Sequence, residues 1–516
     1  MNSNIYLERD ITTEYDSVVL VATGSDPKTW GAAEKLGPAF EPFKRLDKSF
    51  GKDVTLTVQD DVIVVYSPTG DMKRDYDDVR SFMEAAEKGV KRALNSGSRK
   101  PLVALPTEFV PFDGFNVDSS VVLGALKSLY VSLQSREFAP QNASKVERIG
   151  FLNFNGDDDR MTYILSLEAG QVVFRDIILA DPERMTPKKV EEYINMLFSP
   201  AHASPVSVKV ISGKSVLEKS YPCLAAVDRC AEQVERHAGR VILLEYSDGN
   251  PEKVLGFVGK GITFDAGGVN LKTGSSIAGM SRDKGGAAAV AGIFQSLAIN
   301  RPKNIRVLGA LCLVRNSIGA DAYMIDEVIV SRAGQRIRVT NTDAEGRFAM
   351  VDALAEMKER VLQEKLENKT HLYTIATLTG AASAAVGPPY SVAVDNGVAR
   401  RRNNSMDLQR AGEQLGDMIE IGRLRREDFK AVNSKTPDDD LLQTSASRHR
   451  GFQYPVAFLM RGSGLDKYDS DSSRPIAYTH LDIAPAAANF PDAPNYAAMN
   501  AINYRYFYEP NKYSYI

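Results

Sequence analysis

The stretch IRVLGALCLV (305–314) restricts the fold most, because apart from Arg306 it contains no charged side chain. A strand with one solvated face alternates apolar and polar residues, so this run predicts a strand buried on both faces, as in the middle of a parallel sheet. Strand-like and helix-like segments alternate around it, in the order VLGFVGKGITF (254–264), AAAVAGIFQSLAIN (287–300), FAMVDALAEMKERVLQEKL (348–366), HLYTIATLTG (371–380) and AYTHLDIA (477–484). This alternation predicts a doubly wound mixed sheet flanked by helices.

A smaller α/β domain is predicted before that sheet. VTLTV (54–58) and VIVVYS (62–67) are typical of a hairpin, and SFMEAAEKGVKRALNSG (81–97) has helical apolar spacing. A polar break at Asp181-Pro182 is followed by Thr186-Pro187, which is a good start for a helix. The α/β chain is therefore expected to have two domains, residues 1–172 and 201–516, joined by a linker helix region over residues 173–200.

The composition excludes several classes of protein. A net charge of −3 gives no general attraction to nucleic acid, and no apolar stretch is long enough to span a membrane. The N-terminus has no apolar core typical of a secretory signal, and three scattered cysteines do not suggest a disulfide framework, so a cytoplasmic location is expected. The five histidines form no paired motif, so a metal would be bound mainly through oxygen ligands.

Charged residues gather where strands are predicted to end. In NTDAEGRFAM (341–350), two acids and a base occupy alternate positions, and they would share one face if the preceding strand RIRVT (336–340) continued. Sites in doubly wound sheets lie at the carboxyl ends of the strands. Seven charged residues fall near such ends: Lys260, Asp265, Lys272, Asp283, Asp343, Glu345 and Arg347.

Taken singly, these residues also have simpler interpretations. Asp283 fits an N-cap, Asp343 and Arg347 fit a helical ion pair, and Lys260 fits an exposed edge charge. Their clustering favours a site. Four converging carboxylates would repel one another and raise each other's pKa values, and two divalent cations about 3.5–4 Å apart, bridged by carboxylates, would relieve that repulsion.

Three segments together resemble the leucyl aminopeptidase family of metallopeptidases. They are VGKGITFDAGG (258–268), MSRDKGGAAAV (280–290) and NTDAEGR (341–347), of which the last matches the family signature without a change. The resemblance extends from about Arg175 to Asp482, and the order of the motifs is that of the family. It implies a peptide-cleaving enzyme with two divalent metals, zinc or manganese, with magnesium or cobalt as alternatives.

The resemblance also implies which residues bind the metals. One metal would be held by Asp265, Asp343 and Glu345, and the other by Lys260, Asp265, Asp283 and Glu345. A lysine can ligate only as the neutral amine, and a nearby dication favours loss of its proton. Lys260 and Asp265 are five residues apart, so a regular strand would point them to opposite faces, and we expect the glycines at 259 and 261 to permit a bend.

The remaining roles follow from the same resemblance. Lys272 would polarise the scissile carbonyl and stabilise the oxyanion, and Arg347 would hold a bicarbonate ion acting as general base. The substrate side chain, leucine or another bulky neutral residue, would lie near Met280, Thr377 and Gly380. Met280 also fits the interpretation of an ordinary core residue. Peptide substrates and a homohexamer are implied.

Three features depart from the family pattern. The loop TGSSIAGM (273–280) differs from the commonest family version, Lys284 adds a positive charge beside Asp283, which would weaken metal binding, and the segment 426–455 lacks the usual small-residue helix start. Two rival functions remain: a non-catalytic assembly or regulatory protein on the same fold, and another two-metal hydrolase such as a phosphoesterase.

Overall fold

The computed structural model describes residues 4–107, 116–249, 251–445, 449–487 and 494–508. The chain divides into two compact units. The first consists of Met1–Glu168 with Glu413–Gly416, and the second of Ala169–Gly412 with Asp417–Ile516. Every residue singled out above as a site residue belongs to the second unit.

The first unit is built on a six-stranded sheet in the order β1-β6-β5-β2-β4-β3, parallel except for β3. The predicted hairpin is confirmed as β3 and β4, which pair antiparallel across Asp60 and Asp61, both at positive φ. The elements are β1 (Ile5–Glu8), β2 (Ser17–Ala22), α1 (Glu41–Leu46), β3 (Thr55–Gln59), β4 (Val62–Pro68), α2 (Arg80–Asn95), β5 (Pro101–Ala104), α3 (Val117–Leu129), α4 (Leu133–Phe138), β6 (Ile149–Leu152) and α5 (Asp158–Leu179), which continues into the second unit.

The second unit contains an eight-stranded mixed sheet, in the order β15-β14-β17-β13-β9-β10-β8-β7, and a small sheet in the order β11-β12-β16. Its elements are α6 (Pro187–Leu197), β7 (Val206–Ser212), α7 (Lys214–Ser220), α8 (Pro222–Asp228), β8 (Arg240–Ser247), β9 (Lys253–Asp265), α9 (Gly285–Asn300), β10 (Ile305–Asn316), β11 (Val328–Val330), β12 (Arg336–Arg338), α10 (Glu345–Gln363), β13 (Thr370–Ala376), α11 (Gly380–Val386), β14 (Ser391–Asp395), α12 (Gly397–Arg401), α13 (Asn404–Glu413), β15 (Ile419–Arg423), α14 (Arg426–Ala431), β16 (Leu441–Leu442), α15 (Tyr454–Gly462), β17 (Ala477–Asp482) and α16 (Met499–Asn503).

The centre of the large sheet is formed by β13, β9 and β10. The apolar run at 305–314 is confirmed as a strand buried on both faces, although it is parallel only to β9 and antiparallel to β8. Helices α9 and α10 cover opposite faces of β9: a Cβ at Gly259 would meet Ala287 of α9, whereas a Cβ at Gly256 would meet Met357 of α10. The predicted mixed sheet flanked by helices is confirmed.

The strand preceding NTDAEGR does not continue into that motif. Residues Thr342–Ala344 form a short 3-10 turn and Glu345 begins α10, so the expectation of three charges on one strand face is wrong. The Asn341 side chain accepts a hydrogen bond from the backbone N–H of Asp343, which caps the turn and ends the extended segment.

None of the helices in the described part of the chain has both the length and the apolar composition needed to cross a bilayer.

Candidate metal centre

A cavity of about 750 Å³ opens at the carboxyl ends of the central strands, where the doubly wound architecture places its sites. All ten residues predicted from the sequence as site residues line it. They are Lys260, Asp265, Lys272, Met280, Asp283, Asp343, Glu345, Arg347, Thr377 and Gly380.

A β-bulge brings Lys260 and Asp265 to the same face. Against β10, Ile262 pairs with Val314 and Asp265 pairs with Asn316, so Thr263 and Phe264 lie opposite the single residue Arg315. One extra residue reverses the alternation of side chains after the bulge. The expected bend at glycines 259 and 261 is therefore wrong, because the bulge that reverses the alternation lies closer to Asp265.

The glycines serve close packing instead. A Cβ at Gly286 would lie 1.9 Å from the carbonyl oxygen of Ile375, and one at Gly346 would lie 2.5 Å from the side chain of Lys260. Only glycine therefore lets the starts of α9 and α10 approach the central strands this closely. Asp283, in the 3-10 turn before α9, lies at this junction and does not cap the helix.

Lys260 is buried among acids rather than exposed at an edge, with a relative exposure of 3%. Its Nζ lies 2.8 Å from Asp283 Oδ1 and 3.0 Å from Glu345 Oε1, and it donates to the Thr377 carbonyl at 3.0 Å. Burial alone would lower the pKa of this amine, but the two carboxylates outweigh burial and raise it. In the metal-free protein Lys260 is therefore an ammonium ion.

Lys272 joins the other two carboxylates. Its Nζ lies 2.9 Å from Asp265 Oδ2 and 2.5 Å from Asp343 Oδ1. The loop before it turns at Gly267, which has φ +89° and whose N–H donates to Asp265 Oδ1. Asp343 thus pairs with Lys272 across the cavity, and the alternative of a helical ion pair with Arg347 is wrong.

The four carboxyl groups lie close together, and the pKa of Glu345 shifts in the opposite direction from those of the three aspartates. Burial and the neighbouring Glu345 raise the pKa of Asp265 to about 7. Burial also raises the pKa of Asp283 and Asp343. Burial opposes ionisation of Glu345 as well, but Lys260 overcomes it and lowers the pKa of that carboxyl.

The donor set fits divalent cations. One oxygen each from Asp265, Asp283 and Glu345 lie within 4.8 Å of one another, and all three residues are buried. Asp283 Oδ2 and Glu345 Oε2 have no hydrogen-bond partner among the described residues, which is costly for buried carboxylate oxygens. Four carboxylates face only two ammonium groups here, so the acids are not fully neutralised. Carboxylate oxygens are ligands that suit hard or borderline cations.

Arg347 lies behind the acids at the start of α10. Its Nη1 donates to the Gln443 carbonyl at 2.8 Å, and its guanidinium carbon lies 5.2 Å from the Tyr454 ring centroid. Its Nε is buried and has no hydrogen-bond partner within the described part of the chain. Burial lowers the pKa of this guanidinium, yet arginine stays charged at neutral pH. A buried cationic donor beside the cavity is suited to a small anion.

The remaining predicted residues form the cavity wall. Met280 is half-buried on that wall and is not one of the fully buried core residues, Thr377 donates to Asp283 Oδ1 at 2.8 Å, and Gly380 is exposed. Lys284 is buried, and its Nζ donates hydrogen bonds to the carbonyls of Ala180 and Ser281. Its charge still interacts with that of Asp283, so the weakening of metal binding by Lys284 stays a prediction.

Three residues that shape the site were missed in the sequence. Asn316 donates to Asp265 Oδ1 at 2.8 Å, Gln443 supplies the carbonyl that holds Arg347, and Asp482 accepts from Thr379 Oγ1 at 2.7 Å. Asn316 and Asp482 end β10 and β17, so the rule of strand carboxyl ends could have found them. Gln443 had no such signal.

Residues 172–506 match the family model described as "Cytosol aminopeptidase family, catalytic domain". The Caenorhabditis elegans protein named "Putative aminopeptidase W07G4.4" is 38% identical over 494 residues, 92% of each chain. A Chlamydia trachomatis (serovar A) protein named "Probable cytosol aminopeptidase" is 33% identical over 330 residues, which cover 62% of this chain and 59% of that protein.

Two solved structures share the fold. A mutant of tomato leucine aminopeptidase superposes with a TM-score of 0.77 at 20% identity, covering 97% of this chain and 95% of that one. The bottromycin maturation enzyme BotP in complex with Mn superposes with a TM-score of 0.73 at 22% identity, covering 94% and 98%. With the family model matched across the whole cavity-bearing region, this chain belongs to the cytosol aminopeptidase family.

Proposed function

We propose that this protein is a dinuclear metal-dependent aminopeptidase that removes leucine or other bulky neutral residues from the N-termini of peptides. The observation that carries the proposal is the group of three buried carboxylates, from Asp265, Asp283 and Glu345, with two of their oxygens left without partners. Such a donor set is expensive to bury unless it holds cations. Family membership supports peptide hydrolysis as the chemistry that the cations serve.

Two overlapping ligand sets are proposed. Asp265, Asp343 and Glu345 would hold one metal, and Lys260, Asp265, Asp283 and Glu345 the other. Zinc or manganese is proposed for both, with magnesium or cobalt as alternatives, and the structure of BotP in complex with Mn supports manganese. When bound, such a pair of metals polarises the scissile carbonyl and lowers the pKa of the attacking water.

The chain's own cations would complete the chemistry. The Nζ of Lys272, which lies between Asp265 and Asp343, would donate to the carbonyl oxygen as negative charge develops on it. Arg347, through its buried Nε, would hold bicarbonate, and that anion would supply a general base. The wall formed by Met280, Thr377 and Gly380 would receive the first side chain of the peptide.

The proposal is tested with leucine p-nitroanilide and p-nitrophenyl phosphate, each supplied with Mn²⁺ or Zn²⁺. Amide cleavage without phosphate release is expected. Phosphate release alone would favour another two-metal hydrolase, and no turnover of either compound, or of a dipeptide panel, would favour a non-catalytic assembly or regulatory protein.

Binding of Mn²⁺ at pH 7 is expected to release at least one proton per chain. Lys260 is protonated in the metal-free protein because Asp283 and Glu345 raise its pKa, and it must become neutral to ligate. Asp265, with a pKa raised to about 7, would release a further fraction. Calorimetry in buffers of different ionisation enthalpy measures this number. A heat that is independent of the buffer would contradict the lysine ligand, and Lys260→Met should release fewer protons than the unmodified chain.

Arg347→Met is expected to lower kcat by about 10²-fold or more, the usual contribution of a general base, and to remove any response to added bicarbonate. Arg360→Met is the matched control, because Arg360 lies on the same helix and pairs with Glu245 and Glu364 away from the cavity. Equal bicarbonate stimulation of Arg347→Met and the control would refute the anion site.

Assembly and location complete the proposal. We propose a homohexamer of this 56.6 kDa chain in the cytoplasm, with residues 201–516 carrying catalysis, 173–200 as the linker region, and 1–172 as a non-catalytic domain with an assembly or regulatory role. Light scattering of the purified protein tests the hexamer, since a mass near that of one or two chains would contradict it.

A further inference from the structure

We propose that Asn316 is a positioning residue that fixes the rotamer of Asp265, so that Asp265 presents one oxygen, Oδ2, to the metals. This inference rests on the metal site proposed above. Asn316 ends β10 directly opposite Asp265, at the point where the bulge restores pairing between the two strands. It is 1% exposed, so water does not compete for the hydrogen bonds of its amide.

The amide of Asn316 ties two separate parts of the site together. Its Nδ2 donates to Asp265 Oδ1 at 2.8 Å and to the carbonyl oxygen of Thr342 at 3.0 Å. Thr342 begins the short turn that carries Asp343 and leads into Glu345. This NH₂ group therefore links the Asp265 carboxylate directly to the segment that supplies the other two proposed ligands of the same metal, beside the hydrogen bond from Thr342 Oγ1 to the Gly267 carbonyl.

The orientation of this amide is determined by its neighbours. Both groups within reach of Nδ2 are acceptors, a carboxylate oxygen and a carbonyl, so exchanging the amide O and N would place three oxygens together. Asn316 Oδ1, by contrast, is buried without a hydrogen-bond partner among the described residues. Burying an acceptor without a partner costs free energy, and this cost is offset only if the two donated hydrogen bonds contribute more.

The two oxygens of Asp265 then have different tasks. Oδ1 accepts from Asn316 Nδ2 and from the Gly267 N–H at 2.9 Å, which uses both of its lone pairs. Oδ2 faces Lys272 Nζ at 2.9 Å, inside the cavity. Asp265 is thus held in place through Oδ1, while Oδ2, which pairs with Lys272, is the oxygen that would ligate. Partners that orient a ligand in this way typically affect metal affinity or activity by about 10–100-fold.

The test measures Mn²⁺ affinity of the full chain, with free Mn²⁺ followed by electron paramagnetic resonance. Asn316→Ala removes both donors and is expected to weaken binding by about 10–100-fold. Asn316→Asp keeps the shape but places a carboxylate against Asp265, so its loss should be larger. A high Mn²⁺ concentration should restore part of the kcat of Asn316→Ala, a rescue that a purely structural defect would not show.

Thr263→Val is the matched control. Thr263 lies in the bulge and is 1% exposed, and its hydroxyl donates to the Val314 carbonyl at 3.3 Å, so valine removes this one side-chain hydrogen bond, keeps the side-chain shape and leaves the backbone of the bulge and Asp265 in place. It should bind Mn²⁺ as the unmodified chain does. Affinity is measured in the cold on the folded fraction, so that loss of stability is not counted as loss of binding.

The outcomes separate this inference from the proposed function. If the unmodified chain binds no Mn²⁺, the metal site itself is refuted. If it binds Mn²⁺ and both Asn316 variants bind equally well, only the positioning role is overturned. Equal weakening in Thr263→Val and Asn316→Ala would also overturn it, because the effect would then belong to the bulge and not to the amide.

Discussion

Replacing Glu345 with glutamine is expected to lower kcat by about 10³-fold or more, because metals supply several kcal/mol to such reactions and each 1.4 kcal/mol is about tenfold in rate. Glu345 belongs to both proposed ligand sets, so its removal should empty both metal positions. Metal analysis by mass spectrometry and turnover of leucine p-nitroanilide measure the two losses together.

The fold should survive this change. Glutamine has the same shape as Glu345, and the removed charge lies close to Asp265, whose pKa Glu345 raises by repulsion. Lys260 keeps its contact with Asp283 at 2.8 Å, so it is not left without a counter-ion. The melting temperature of the metal-free variant should therefore stay near that of the metal-free unmodified chain, whereas addition of Mn²⁺ should stabilise only the latter.

Glu359→Gln provides the matched control. Glu359 is on the same helix, α10, and pairs with Arg332 at 2.9 Å with its side chain 43% exposed, so the same change there should cost little. Near-normal turnover and full metal content in Glu345→Gln would refute the ligand assignment.

The fold and the convergence of the site could be predicted because both follow from patterns of whole segments. The apolar run at 305–314 required burial on both faces, and alternating strands and helices required a sheet whose carboxyl ends meet. Asp265, Asp283 and Glu345 come together for that reason, since Asp265 ends a strand, Asp283 precedes a helix and Glu345 begins one.

The local geometry could not be predicted, because it depends on single residues. The bulge at Thr263 and Phe264 has no sequence mark, since both residues fit a regular strand, yet it decides which face Asp265 occupies. Likewise, charges at alternate positions in 341–347 suit a strand, but Asn341 caps a 3-10 turn there, and α10 begins directly after that turn. The direction of Lys284 depends on the Ala180 carbonyl, which is distant in sequence.

Lys272→Ala is expected to lower kcat by about 10²–10³-fold, the effect of removing one preorganised donor to an oxyanion, while metal content falls much less. Lys272 is not one of the proposed ligands, so its loss leaves the metal oxygens of Asp265 and Asp343 in place. In the metal-free chain its ammonium neutralises those two acids, with contacts of 2.9 and 2.5 Å. Removing this ammonium takes away a positive charge that repels the metals. That favours metal binding and offsets a loss of affinity caused by any change in the loop structure.

Two further variants distinguish a catalytic role of Lys272 from a structural role. Lys272→Arg keeps the charge but moves the donors, so it should bind metal normally and still turn over slowly. Lys369→Ala, at an exposed lysine that donates to the Pro251 carbonyl at 3.2 Å, should behave as the unmodified chain. Parallel loss of metal and turnover in Lys272→Ala would show that Lys272 holds the loop of Asp265 together. An equal loss of kcat and kcat/KM with both metals retained would assign Lys272 to an interaction made in the transition state.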